Sequence, residues 1–318
     1  MYNLNWLTIY QKQCRFVKHQ VIIMQKFLIY PVTVSAISLP FLSYTVFVNI
    51  YKKYRARYDF DDNEIPVRKD IQRRFQEVIN DLNLRKEVRE RIKLFNVHDI
   101  NTYHAGTVFT QYGGIIGVPV NFEYKDIENI TEDTISIRTI QVDWNTKAAK
   151  QFLNSLILSE NAQKFALARE LLIVTSYKPL MKGFNFILDA VIISTIYFLF
   201  SNKLQSIRNK IRRYLYASAA IVICSAVILY CNYNINRNDE LQINDRLTEL
   251  GDKYVEGGVE YYEQLLKRNK ALKVLFGTMS KYYITSTGDE VPWFIDGKIK
   301  FSKQLEYFKT KMENKQLV

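Results

Sequence analysis

Few side chains in this sequence are of a type and spacing that could do chemistry. His98 and His104 are the histidines beyond the N-terminal region, and no cysteine lies near either. Zinc or copper needs three or four convergent nitrogen or sulfur ligands, so these two predict solvated or hydrogen-bonded loop residues. Cys224 and Cys231 are seven positions apart and share one helix face. They read either as soft ligands for a metal or redox partner or as small packing residues of a lipid-facing helix. Gly113-Gly114-Ile115-Ile116-Gly117 lacks the GxGxxG order and runs into Pro119, which predicts a turn with positive φ rather than a dinucleotide loop. The chain contains no P-loop, no HExxH helix and no GxSxG elbow. Its carboxylates form no pair that stands out for acid–base work. An enzyme reading would rest on Asp143, Glu170 or Asp189, without a motif behind any of them. The sequence therefore predicts no catalytic residue, no cofactor, no metal site and no small-molecule substrate.

The elements that would position such groups are announced by charge. The chain has 318 residues and a net charge of +12. Residues 1–58 carry eight Lys and Arg and no acid, and residues 203–213 carry five more, again without an acid. These two pieces hold +13, so the remainder is close to neutral at −1. A basic protein of this size invites a nucleic-acid partner, but a neutral body offers no basic face for one. Three cysteines exclude a disulfide framework.

Both basic pieces flank apolar runs. Residues 27–51 lack charge for 25 positions between Lys26 and Lys52, interrupted by Pro31 and Pro40. Residues 183–202 contain one charged group, Asp189, and residues 214–236 contain none. Each run approaches or exceeds the ~20 helical residues that a bilayer core requires. The second and third runs make a helical hairpin around the 203–213 loop. A loop of Lys and Arg is held on the cytoplasm-like side, which in mitochondria is the matrix. Asp189 reads either as an intramembrane carboxylate paired with a partner helix or as a group near the headgroups. The acid-free residues 1–26 are similar to a mitochondrial import signal.

Two soluble stretches remain, 52–182 and 237–318. Ile71, Phe75, Val78, Ile79 and Leu82 predict a helix over Ile65–Leu82, and Val88, Ile92 and Phe95 predict a short second one. Residues 102–124 predict short strands with glycine turns, and Ile135–Trp144 alternates as a further strand. Asn145 or Thr146 caps a helix ending near Leu156. Ser159 caps the next, with Glu160 and Lys164 paired at i, i+4, and Lys178-Pro179 predicts its stop. Asp239–Phe276 predicts a long helix broken or bent at Gly251 and Gly257-Gly258. A glycine-turn hairpin over 282–294 and a terminal helix over 299–313 follow. The fold class expected is an α+β membrane protein with two to three transmembrane helices and a soluble α+β domain interrupted by a helical hairpin.

Three stretches carry more than periodicity: SENAQKFALAREL at 159–171, GGVEYYEQLLKRNKALKVLFG at 257–277 and FQEVINDL at 75–82. They resemble the transmembrane protein 177 family. Gly117-Val118-Pro119, Val142-Asp143-Trp144 and Gly288 to Pro292 agree less closely. The resemblance implies a multi-pass protein of the mitochondrial inner membrane. It also implies a role in biogenesis of cytochrome c oxidase subunit II, together with the membrane chaperone that holds newly made subunit II. It implies no catalytic activity, cofactor or site residue. Two alternatives stand beside it: a membrane-anchored enzyme with an unfamiliar carboxylate site, and a scaffold whose 52–57 and 203–213 segments bind anionic lipid. On the 159–174 helix, Phe165 and Leu171 predict core packing, as do Leu265, Leu266 and Leu272 on its counterpart. Gln163, Lys164, Arg169 and Glu170, with Asp189, are the candidate interaction residues.

Overall fold

The computed structural model describes residues 47–130, 142–203, 209–292 and 297–316. The import-like N-terminus, all but the last five residues of the first apolar run and most of the strand expected over Ile135–Trp144 lie outside these. The chain divides into two units, one of residues 1–43 and 182–226, the other of residues 44–181 and 227–318.

In the second unit α1 spans Val48–Arg55, α2 Lys69–Asp81 and α3 Lys86–Arg89. The strands β1 (Ile92–Val97), β2 (Tyr103–Gly106) and β3 (Gly114–Pro119) form one sheet in the order β1-β3-β2. β3 is parallel to β1, with Ile92 opposite Gly114, and antiparallel to β2, with His104 opposite Ile116. Then come α4 (Lys147–Leu156), α5 (Glu160–Val174), α6 (Lys178–Lys203), α7 (Lys210–Glu249), α8 (Asp252–Leu275) and α9 (Phe301–Gln316).

α5 is the central helix. Ala162, Phe165, Ala166, Leu167, Ala168, Leu171 and Val174 are all buried, so its apolar surface runs nearly all round rather than along one stripe. α2, α8, β2 and β3 pack against it. α2 contributes Ile71, Phe75, Val78 and Ile79, spaced at i, i+4, i+7 and i+8. Phe308 of α9 closes the other side, meeting the Phe165 ring edge-on at 5.1 Å. Thr146 and Ser159 cap α4 and α5, each accepting from the backbone N–H three residues on, at 3.2 Å in both cases. Leu265 and Leu266 are buried as expected, and Leu272 is partly buried beside Phe152 and Leu156.

Five expectations need correction. The helix expected from Ile65 begins at Lys69, because Pro66 holds the residue before it extended. The Asn96 side chain then ties the Ile65 and Pro66 carbonyls to β1 at 3.1 Å each. Ile92 and Phe95 belong to β1, not to a helix, which ends at Arg89. Their backbone is claimed by β3, more than twenty residues away. α5 stops at Val174, and Pro179 opens α6 instead. In a first turn the missing proline N–H costs nothing. Among its described residues the 282–294 segment has one antiparallel bridge, Ile284 with Glu290, around Gly288.

The fifth correction concerns the glycines. Gly251 does break the long helix, with φ of 110°. Gly257 and Gly258 do not; α8 runs straight through them. A Cβ on Gly257 would stand 2.4 Å from the Asn161 carbonyl oxygen, and one on Gly258 would stand 2.8 Å from the Phe165 ring. The pair is there so that α5 can approach.

α6 and α7 supply the apolar lengths. Lys178–Ile196 and Ser218–Glu249 are long and apolar enough to cross a membrane. In the first unit Phe184, Ile187, Leu188 and Val191 of α6, and Leu215, Val222 and Ile223 of α7, are exposed. Lipid would cover such side chains. Mixed helix, a small sheet and two candidate spans make this an α+β membrane protein.

Alanine at an ordinary helical glycine stabilises by about 1 kcal/mol. Gly257→Ala is expected to reverse that sign and destabilise by about 1–3 kcal/mol, because a backbone oxygen cannot step aside. Thermal unfolding of the detergent-solubilised chain checks it. An equal or higher midpoint would mean that α5 does not approach α8 as closely as described.

Candidate functional site: the polar side of the central helix

α5 brings four of the five candidate residues into one element, and each is engaged within the second unit. Gln163 is buried. Its amide donates to the Leu158 carbonyl at 3.0 Å, and its oxygen accepts from Arg74 at 2.8 Å. Lys164 bridges two helices, 2.6 Å from Glu77 on α2 and 2.9 Å from Glu160 one turn back. Burial pulls its pKa down, but the two carboxylates outweigh that and hold it above the ordinary value.

Arg169 reaches α7. Its Nη2 donates to both Glu240 carboxylate oxygens, at 2.9 and 2.7 Å, and Nη1 lies 3.3 Å from Glu170 Oε1. Burial alone would lower the guanidinium pKa; Glu240 beside it raises it well above normal. Both bonds leave one nitrogen, and each is charge-assisted, roughly twice as strong as a hydrogen bond between neutral groups.

Glu170 is 4% exposed. It pairs with His104 Nδ1 on β2, accepts from the Thr102 hydroxyl at 3.0 Å and faces Arg169. Burial pushes its pKa up, yet His104, Arg169 and Thr102 together bring it down to about 2. From Glu240 the chain of contacts continues through Gln304 at 3.4 Å to Asn244 at 2.5 Å. One polar network thus crosses β2, α5, α7 and α9. Close by in sequence, Lys178 at the start of α6 donates to the Asp239 carbonyl at 2.7 Å.

Asp189, the fifth candidate, is half-buried on α6 in the other unit. Asp143 is exposed and accepts from the Asn145 backbone at 3.0 Å in the turn before α4. His104, expected in a loop, lies on β2; its hydrogen bond to Glu170 was one of the two readings for it. Thr102, Glu240, Asn244 and Gln304 were not foreseen. Thr102 and Glu240 meet α5 from 68 and 71 residues away in sequence, Gln304 and Asn244 join through Glu240, and no local pattern marks them. Among the described residues, no group of three His, Cys, Asp or Glu could hold a metal ion.

The arrangement defines a membrane-anchored α+β domain whose buried charges tie its central helix to a helix that continues into an apolar segment. A family model, Transmembrane protein 177, matches residues 9–302. The chain therefore belongs to the transmembrane protein 177 family. It is 27% identical to Transmembrane protein 177 of Rattus norvegicus over 265 residues, covering 80% of this chain and 81% of that one. It is also 27% identical to the Homo sapiens protein over 261 residues, 79% and 80% of the two chains. The Xenopus laevis protein is 26% identical over 233 residues, 70% and 72%. No solved structure matches the chain.

Because the folded pKa of Glu170 lies below its ordinary 4.5, its contribution is complete above that pH and is lost as pH falls toward about 2. Glu170→Gln is expected to cost about 3 kcal/mol near neutrality and to flatten the acid limb of the stability curve. Unfolding midpoints from pH 6 to pH 2, wild type beside variant, check this. Parallel acid limbs would show that Glu170 is not the titrating group.

Proposed function

We propose that this protein is a non-enzymatic factor of the mitochondrial inner membrane that supports biogenesis of cytochrome c oxidase subunit II alongside its membrane chaperone. The observation carrying this reading is the family match, which extends over residues 9–302 and so takes in both candidate spans and most of the folded domain. Family likeness over that extent favours a shared task for the whole molecule rather than for one borrowed domain.

The buried carboxylate supports the non-enzymatic half. A general acid or base works best with a pKa near the operating pH. Glu170 is held at about 2, with its oxygens engaged by His104, Thr102 and Arg169. That environment fixes a charge in place; it does not move protons near neutrality. Gln163, Lys164, Arg169 and Glu170 then serve partner binding by holding α5 against α2 and α7, and the client is met by surfaces that this packing presents. The exposed apolar side chains of α6 and α7 offer membrane-embedded contacts to another helix, where packing and small residues decide association.

Topology follows from the same reading. With the basic 203–213 loop in the matrix and two spans, residues 52–182 and 237–318 emerge on the opposite side, in the intermembrane space. The chain is expected to resist carbonate extraction. Protease added to swollen mitochondria is expected to digest the domain and to spare an epitope placed in the loop. Affinity purification from mildly solubilised mitochondria is expected to recover subunit II and its chaperone, and removal of the protein to lower newly made subunit II. Failure to recover either partner, with the protein itself intact, would count decisively against the assignment.

A further inference from the structure

Arg268 is a buried charge that the network around α5 does not include. It lies on α8 at 5% exposure. Nη1 donates to the Asn101 side chain at 2.8 Å and, at 3.4 Å, to the Ile100 carbonyl. Both acceptors are neutral. Nε is buried without any hydrogen-bond partner, and among the described residues no carboxylate lies within salt-bridge distance of the guanidinium. An unpaired buried charge is costly, and a buried donor without an acceptor calls for an explanation.

The side chain lines a cavity of about 820 Å³ within the second unit. That volume falls in the range of small-molecule sites, roughly 300–1,000 Å³. Phe152, Leu272, Phe276 and Ile284 give the cavity apolar walls. Two acids also line it, Asp99 and Glu290. Asp99 is already occupied, 3.6 Å from Arg55 and accepting the Ile100 N–H at 2.7 Å. Glu290 is exposed and would repel a polyanion. Burial holds the Arg268 pKa below its usual value, against the weaker pull of Tyr261, Glu290 and Asp99. Arg74, which also has a buried Nε without a hydrogen bond, differs in kind: Glu160 stands 3.8 Å from that atom.

We propose that this cavity binds a small monocarboxylate with an apolar body, its carboxylate on the Arg268 guanidinium and its hydrocarbon part among Phe152, Leu272 and Phe276. A planar guanidinium matches a carboxylate, and a carboxylate in the cavity supplies the counter-charge that the protein itself does not. One charge, not several, suits a lining that already contains two acids. This inference stands apart from the role in oxidase biogenesis and survives its failure.

The test uses the full chain in lipid nanodiscs, with empty nanodiscs as the blank. The probe is 4-phenylbutyrate, compared by calorimetric titration with 4-phenylbutan-1-ol and with inorganic phosphate. Saturable binding of the acid is expected, at least about tenfold tighter than the alcohol, with no saturable binding of phosphate. Arg268→Gln is expected to weaken the acid by at least about tenfold while leaving the ligand-free unfolding midpoint unchanged or higher. Should that variant not fold, Leu272→Trp, which fills the apolar part and keeps the charge, is expected to abolish binding. Absence of saturable binding by wild type, equal binding of the alcohol, or unchanged binding in Arg268→Gln or in a folded Leu272→Trp would overturn the proposal.

Discussion

The crossing of α5 over α8 is the constraint that the rest of the domain obeys. Two side-chain-free positions in a row let the Asn161 carbonyl and the Phe165 ring sit against the α8 backbone. Phe165 then meets Tyr261, Tyr262 and Phe308 at once, with ring centres 5.1 to 5.7 Å apart. Those contacts fix where α9 lies. The register of α5 that they impose also decides which of its polar residues face α2, which face β2 and which face α7. Glu260 on α8 completes the junction by accepting from the Ser159 backbone at 2.8 Å, so the N-terminus of α5 is tied to the helix it crosses. A central helix buried on nearly every side must carry its polar groups inward. Each of them then needs a partner from whichever element it meets.

That explains why the two longest family blocks read as they do. SENAQKFALAREL and GGVEYYEQLLKRNKALKVLFG are the two sides of one interface. The Ser caps, the Ala residues keep the helix thin, Phe fills, Gln and Glu reach buried acceptors and donors, and the glycines give way. Such a combination is specific because geometry and polarity are constrained together. Their partnership is a packing fact before it is a functional one.

Much of this was legible in the chain. Thr146 and Ser159 as caps, Glu160 with Lys164, the α2 stripe and the turn-rich strands are local patterns whose partners lie within a few residues. What escaped was whatever depended on distant chain. Val88, Ile92 and Phe95 fit a helical spacing, but a parallel strand beginning at Gly114 offers Ile92 and Phe95 a ladder that no local signal announces. Gly257-Gly258 reads as a weak point until α5 is in place, since the same missing Cβ that destabilises an isolated helix permits a close crossing. Glu170 was a candidate for contacts with a partner or for an unfamiliar carboxylate site. Its partners His104, Thr102 and Arg169 come from two elements, and only their assembly turns burial from a penalty into a well-satisfied charge.

Glu170 and Arg268 allow a criterion to be drawn from this one molecule. Both are almost wholly buried and both would be expensive to desolvate alone. Glu170 has a hydroxyl donor, a histidine and an arginine around it, and its pKa is driven down because the charged form is the better-bonded one. Arg268 has neutral acceptors on one nitrogen and none on Nε, and its pKa moves in the direction of charge loss. The sign of each shift follows from whether the protein supplies the counter-charge itself. Where it does, the buried charge stabilises the fold and is finished chemically. Where it does not, the side chain lines a cavity with apolar walls, and a carboxylate placed there would supply the charge that the fold leaves out.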